Sequence, residues 1–342
     1  VDAVKDMDGA VGFVGGMVLS ESEYRHHDLF LQVSGPSVVD VAHNFVQRWN
    51  ESAADPERPP CPPAASSPMR FPTTIPLQCG PSRVQFTRTV APGLYSVCVP
   101  PCEGVHPCGW RDVDLSGGEV SIWESYKIAI AQASRTIYIE SQHPGEEEIM
   151  RLLDAALQRG VAVMFVVPTY PMRPIVEAKR TQLPRYKPMF DLLGQLDRHK
   201  GFCLAGVKEA TIDEEGNPAI RDQYVHAKVM VVDGEWMTAG SANLVDISLD
   251  RDHTEANLSV WDKDVCEAFL KTRAGYLLCR QAGARTSGVQ ADVEVVQTMQ
   301  ATAQHNARRM YRGEPPVGRL VRLDAALYAT TSPAPLHNKP SY

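Results

Sequence analysis

From Glu119 onward the apolar positions keep a regular beat. Ile122, Tyr126, Ala129, Ile130 and Ala133 recur at helical spacing. Arg135 to Glu140 (RTIYIE) predicts a strand. Glu146 to Arg159 predicts a helix with Ile149, Leu152, Leu153, Ala156 and Leu157 facing inward and Gly160 ending it. Val161 to Val167 predicts the next strand, closed by Pro168. Strand, helix, strand in that order predicts a parallel α/β sheet. Residues 172–200 predict a basic helical stretch, and 208–221 a polar loop. Val225 to Val232 and Glu235 to Ala239 predict strands, with another beginning at Glu255. A helix follows Asp262, then a polar C-terminal region and a loose tail from Thr330 to Tyr342.

Upstream the beat is interrupted. Residues 1–50 predict compact α/β structure, whereas 51–82 and 91–118 predict irregular chain. The stretch 52–118 holds 13 of the 26 prolines, which excludes continuous helix or central strand there. One strand, Arg83 to Val90, interrupts it. The chain thus divides at 1–50, 51–118, 119–282 and 283–342. With 342 residues, 44% hydrophobic and 22% charged, it can bury one large core or two medium ones. The longest apolar run, around Val161 to Val167, falls far short of the roughly 20 residues of a membrane span. The chain opens on Val1, so targeting and compartment are not legible. A net charge of −7 weighs against a partner held by many phosphates, such as nucleic acid, but is compatible with a local basic site for one phosphate.

Five of the eight cysteines (Cys61, Cys79, Cys98, Cys102, Cys108) fall in the proline-rich stretch. Cys98, Cys102, His106 and Cys108 are crowded as in a zinc knuckle, but their spacing fits no standard ligand pattern. Loop thiols or disulfides are the reading, and no metal site is expected. Cys203, Cys266 and Cys279 read as core or surface thiols.

The sharpest chemical signal is Val225-His226-Ala227-Lys228-Val229-Met230-Val231-Val232-Asp233-Gly234. In a strand, His226 and Lys228 emerge on one face. An imidazole beside an ammonium is costly in a core unless an anion binds between them, and a phosphate would. Asp233-Gly234 predicts a tight turn into a strand that delivers Gly240-Ser241-Ala242-Asn243. Hydroxyl and amide groups there suit phosphate oxygens. Glu255 is a candidate to hold His226 in one tautomer.

His226, Lys228 and Asp233 match the HxKxxxxD signature of the phospholipase D superfamily, and Gly240, Ser241 and Asn243 its trailing GSxN. Ile137 to Gln142 resembles the family's IYIENQ strand, with Ser141 in place of asparagine. Arg159-Gly160-Val161 through Pro168 resembles its RGV…VP segment, and Gln85 to Thr89 the strand opening its second half. The resemblance implies an α/β fold, a mixed or parallel sheet flanked by helices, with two similar halves around one site. In this chain one half is complete and 1–50 is the remnant of the other. It further implies that one histidine attacks phosphorus to form a phosphohistidine, while another protonates the leaving alcohol. Water or an alcohol then resolves the intermediate. His226 takes one of these roles. Lys228 and Asn243 bind non-bridging oxygens, Ser241 assists and Gly240 lies beside them, Glu255 orients His226, and Asp233 mainly holds the turn. No metal or organic cofactor is implied.

An internal repeat marks the other half. Asp8-Gly9, Phe13 to Gly16 and Leu19 align with Asp233-Gly234, Thr238 to Ser241 and Leu244, and Asp28 to Val33 aligns with Glu255 to Val260. Counting back from Asp8, the histidine and lysine positions hold Val1 and Ala3. Lys5 fits only in a shifted register. His26 and His27 precede Asp28, where the family often carries His-Asp. The chain therefore reads as a fragment lacking an N-terminal half, or as a degenerate homologue. A missing segment or a second copy in a homodimer would supply the other half-site.

The expected substrate is a phospholipid at a peripheral membrane surface. The alternatives are phosphatidyl transfer of the cardiolipin-synthase type and a catalytically impaired binding scaffold. Trp49, Trp123 and Trp261 read as packing residues. Arg173, Lys179, Arg180, Arg185 and Lys187 read as a solvated basic face, with lipid headgroups as the alternative, and His143 as a candidate to line the site.

Overall fold

In the computed structural model, apolar alternation has become a sheet covered on both sides. The residues described are 9–18, 26–54, 69, 71–72, 74–95, 115–250, 252–279 and 291–330. Strands β1 (Val11–Gly15) and β2 (Phe30–Ser34) form an antiparallel pair, followed by helix α1 (Val38–Ala54). Then come β3 (Arg83–Val90), β4 (Glu119–Val120), α2 (Ser121–Gln132), β5 (Thr136–Glu140), α3 (Glu147–Gln158) and β6 (Ala162–Val166). Helices α4 (Arg173–Arg180) and α5 (Lys187–Leu196) lead to β7 (Phe202–Ile212), β8 (Pro218–Gln223), β9 (Val229–Val232) and β10 (Trp236–Gly240). The short α6 (Asp246–Leu249), β11 (Glu255–Trp261), α7 (Lys263–Leu278), α8 (Ala291–Tyr311) and β12 (Leu320–Arg322) complete the order.

Among the described residues the main sheet has ten strands, in the order β12-β7-β6-β5-β9-β10-β11-β3-β4 with β8 paired to β7. β5, β6 and β7 run parallel, joined by helical crossovers, while the remaining pairs are antiparallel. This is the mixed α/β sheet flanked by helices that the resemblance implies; the pattern itself predicts only its parallel part, β5 to β7. Ile137, Ile139, Val163, Phe165 and Leu204 point to one face and pack with Ile149, Leu153 and Leu193 of α3 and α5. Tyr138, Met164, Val166 and Val231 point to the other and pack with Leu270, Val296 and Met299 of α7 and α8. Burial on both faces explains why these strands read as near-continuous apolar runs. The β1–β2 pair covers the sheet further along, where Val14 and Val33 meet Leu258.

α3 begins where the Glu146 carboxylate accepts hydrogen bonds from the Glu148 and Ile149 amides, and it stops before Gly160, whose φ of +92° suits glycine. Three expectations need correction. The presumed loop 208–221 is a β-ribbon. Its outer half, Lys208 to Ile212 against β8, leaves the core, so both faces stay polar and the alternation that betrays a strand is lost. Its turn is closed by Asp213, whose carboxylate accepts from the Glu215 and Asn217 amides. The polar C-terminal region contains the 21-residue α8, whose buried Ala291, Val295, Met299 and Ala303 form a stripe thinned by alanine. β9 begins at Val229, so His226 to Lys228 lie just ahead of the strand rather than within it. The tail beyond Thr330, the Cys98 to Cys108 cluster and the positions of Val1, Ala3, Lys5 and Asp8 lie outside the described residues. Among the described residues no helix is long and apolar enough to cross a membrane.

Candidate active site

The C-terminal end of β5 and the start of β9 adjoin, with Glu140 opposite Val229. Into this corner the chain brings a third, remote segment. His27 forms a parallel bridge with Val225: its amide donates to the Tyr224 carbonyl at 2.8 Å, and its carbonyl accepts from the His226 and Ala227 amides at 2.9 Å each. That clamp lays Asp28 beside His226, and its Oδ2 stands 2.8 Å from the His226 Nδ1. Burial works against ionisation of Asp28. The hydrogen bonds from His226 and the Leu29 amide, with the charges of His226 and Lys228, nevertheless hold its carboxyl below the usual range. An ionised Asp28 can only accept, so Nδ1 carries the hydrogen, and in the neutral imidazole Nε2 presents the lone pair.

Lys228 is almost fully buried. Its ammonium donates to the His226 carbonyl and lies 3.5 Å from the Gln142 Oε1. The same Oε1 accepts from the Asn243 amide at 3.3 Å, and the Gln142 amide donates to the Tyr224 hydroxyl at 2.7 Å. Lys228 and Asn243 thus converge on Gln142 Oε1, and Lys228 also reaches the His226 carbonyl. His143, a candidate lining residue, lies near Lys228 and His226. Burial first, then those two charges, lower its pKa to about 4. The His26 ring adjoins the site as well, its centroid 5.6 Å from that of His226.

Three assigned residues stand elsewhere. Glu255 does not touch His226. Its Oε2 accepts from the Ser241 hydroxyl at 2.5 Å and its Oε1 lies 3.4 Å from His253, so the orienting contact belongs to Asp28. Gly240, expected beside substrate, serves close strand packing: a Cβ there would stand 2.1 Å from the Ala256 carbonyl, and its amide donates to the Lys228 carbonyl. Asp233, grouped with the catalytic set, sits at the far end of β9. There it accepts from the Ser134 amide and hydroxyl and from the Arg135 and Thr136 amides, all within 2.9 Å.

Behind the site a buried cluster ties three segments together. Glu140 accepts from the Arg273 guanidinium at 2.7 and 3.1 Å and from the Tyr138 hydroxyl at 2.5 Å, and faces His27 Nε2 at 2.8 Å. Burial pushes the Glu140 carboxyl upward, but Arg273, His27 and Tyr138 bring it down to about 2. His27 is thus committed to Glu140. The basic stretch is largely paired: Arg180 with Glu177, Lys187 with Asp191 and Arg185 with Asp246, while Lys179 stacks over Phe190. Among the described residues no group of three or more His, Cys, Asp or Glu side chains could hold a metal ion.

Sequence reasoning passed over Asp28, Gln142 and Tyr224. The internal repeat held the signal for Asp28, since it aligns Asp28 with Glu255. What the repeat could not say is that Asp28 would lie beside His226.

A family model described as "Cardiolipin synthase, PLD-like domain" matches residues 126–273, the span from α2 into α7 that supplies His226, Lys228 and Asn243. The chain is similar to Phospholipase D alpha 2 of Oryza sativa subsp. japonica, 25% identical over 317 residues, covering 72% of this chain and 36% of that protein. Residues 126–273 are a phospholipase D-like domain. A second relative, Phospholipase D A of Dictyostelium discoideum, is 25% identical over 253 residues, 65% of this chain and 17% of that one. The chain spans about a third or less of the length of these curated relatives. Among solved structures, Nuc, a phospholipase D family member from Salmonella typhimurium, matches with a TM-score of 0.33 and 20% identity, over 56% of this chain and 91% of that one.

Proposed function

We propose that this chain is a phospholipase D-like phosphodiesterase acting on the phosphatidyl group of glycerophospholipids at a membrane surface, through a phosphohistidine on His226. The observation that carries the reading is the pairing of His226 Nδ1 with Asp28 at 2.8 Å. It leaves the other ring nitrogen to attack phosphorus. Lys228 and Asn243, converging on Gln142, are suited to the non-bridging oxygens, where a fixed cation and a neutral donor stabilise charge gained in the transition state. Water resolving the intermediate gives hydrolysis, and an alcohol gives transfer. Transfer is a second reading, favoured by the cardiolipin-synthase description of the matching family model. The overall acidic balance favours a lipid over a long polyanion such as nucleic acid.

The test is product analysis on phosphatidylcholine vesicles, with and without a primary alcohol. Phosphatidic acid alone supports hydrolysis, and phosphatidyl-alcohol in its presence supports transfer. Loss of both in His226→Asn ties either product to the site. A wild-type chain that folds and releases neither supports the scaffold reading, and cleavage of DNA instead would redirect it to a nuclease.

A further inference from the structure

One oxygen of the protein itself stands where Lys228 and Asn243 converge. The Gln142 Oε1 lies 3.5 Å from the Lys228 ammonium and accepts from the Asn243 amide at 3.3 Å. The Nε2 of the same carboxamide donates to the Tyr224 hydroxyl at 2.7 Å and faces the Met172 sulfur at 3.2 Å. A carboxamide has one acceptor end and one donor end, so anchoring the nitrogen aims the oxygen at the two donors.

The backbone beneath this contact is stitched together. The Ser141 hydroxyl accepts from the Leu244 amide at 3.2 Å and donates to the His143 carbonyl at 2.8 Å. Pro144 forms a bridge with Leu244, and the Glu146 amide donates to the Leu244 carbonyl at 2.8 Å. The loops that carry Gln142 and Asn243 therefore move as one, and the part able to leave the contact is the half-buried Gln142 side chain. An acceptor at this point has a physical reason. Lys228 is 3% exposed, and a buried ammonium is costly wherever its donors lack oxygens. A neutral carboxamide oxygen reduces that cost and leaves the positive charge in place, whereas a carboxylate would cancel it. Both contacts are longer than the usual 2.9–3.0 Å or so of an N–H···O bond, and an anionic oxygen makes a shorter, stronger one.

We propose that Gln142 is a built-in competitor for the phosphoryl-oxygen position. Its carboxamide oxygen holds the place between Lys228 and Asn243, and a charged phosphoryl oxygen takes that place over when it enters. For the identity of the ligand this rests on the phosphodiesterase reading above. The chemistry recognised is an anionic tetrahedral phosphoryl group, shared by a phospholipid and free phosphate. A neutral ligand gains too little from the ammonium to displace the carboxamide, so Gln142 sets both the affinity threshold and the preference for charge. With the oxygen in place in about nine-tenths of the molecules, apparent affinity for the anion is lowered about tenfold.

Calorimetric titration of the full chain with inorganic phosphate, at constant ionic strength, reads this competition without turnover. Gln142→Met keeps the length of the side chain and removes the acceptor, and it should bind phosphate about tenfold more tightly than the wild type. Gln142→Glu sets a carboxylate against Lys228 and should bind phosphate at least about tenfold more weakly. A side chain that only supports the loops would move both variants in the same direction. Thermal unfolding checks that each variant is folded, and Gln142→Leu takes the place of Gln142→Met if that one is not. Phosphate binding unchanged or weakened in the folded acceptor-free variant overturns the proposal. So does Gln142→Glu binding as tightly as the wild type, or no phosphate binding by either the wild type or the acceptor-free variant. Phosphatidylcholine vesicles separate the two sources of the ligand. The opposite shifts with phosphate, in a chain that releases nothing from the vesicles, keep the proposal and remove the lipid reading. Release of phosphatidic acid without tighter phosphate binding in Gln142→Met does the reverse.

Discussion

The Asp28 carboxylate and the His226 imidazole, 198 positions apart in the chain, meet at 2.8 Å. The contact exists because the His27 backbone is stitched to Tyr224, His226 and Ala227, so the orientation of the imidazole depends on a segment remote in sequence. An amide in place of the carboxylate would keep the shape but could present its N–H to the ring and reverse the tautomer. Asp28→Asn is therefore expected to lower kcat by roughly 10²–10⁴-fold with little change in KM. Steady-state kinetics on phosphatidylcholine vesicles check this. Glu255→Gln should lose less, because Glu255 holds Ser241 and not the imidazole.

Asp233 shares the sequence signature but not the site. Its carboxylate collects four hydrogen bonds at the start of β5, and its own φ is +53°. Removing it strands the three amides and the hydroxyl it serves. Asp233→Ala should destabilise the fold by about 3 kcal/mol while the folded variant keeps the KM of the unsubstituted chain. Urea unfolding, run beside kinetics at low temperature, separates the two effects.

Arg273 and Glu140 form the buried ion pair behind the site. Arg273→Met leaves the Glu140 charge without its main partner, at an expected cost of about 3–5 kcal/mol in chemical denaturation. The double variant with Glu140→Leu should recover part of that loss. Because the folded carboxyl is lowered from 4.5 to about 2, its contribution is fully present above pH 4.5 and disappears as pH falls through that interval. Wild-type stability should decline there, and the double variant should decline less.

His143 acts in a higher window. Its pKa is lowered from 6.5 to about 4, so between those values the unfolded chain binds a proton that the folded chain refuses. Stability is full above pH 6.5 and falls as pH drops toward 4, by about 3 kcal/mol at most from this group. His143→Phe should remove that part of the slope, as read from unfolding midpoints across the interval.

Much of this architecture was legible because burial on two faces leaves a strong trace in a sequence. β5, α3, β6 and α7 follow the apolar positions closely, and Gly160 ends α3 as expected. The β7–β8 ribbon was not legible, because a two-stranded projection with two wet faces has no apolar alternation to read. α8 was obscured because its buried face mixes Val295, Val296 and Met299 with Ala291, Ala303 and the polar Asp292 and Asn306. Lys228 and Asn243 were readable from local spacing. Asp28 was not, since nothing in spacing reveals that residues 27–28 lie along 225–226. Glu255 was the reasonable sequence choice for an orienting acid, and the Ser241 hydroxyl claims it instead.

The central claim is that His226, held by Asp28, becomes covalently phosphorylated during turnover. The direct measurement is rapid quenching of the full chain during cleavage of a phosphatidyl ester labelled in its phosphate, followed by peptide mapping of the label. The account predicts a phosphatidyl adduct on the peptide containing His226, absent in His226→Asn and formed more slowly in Asp28→Asn. Product release by an active wild-type chain with no adduct at His226, or with the label on another residue, contradicts it.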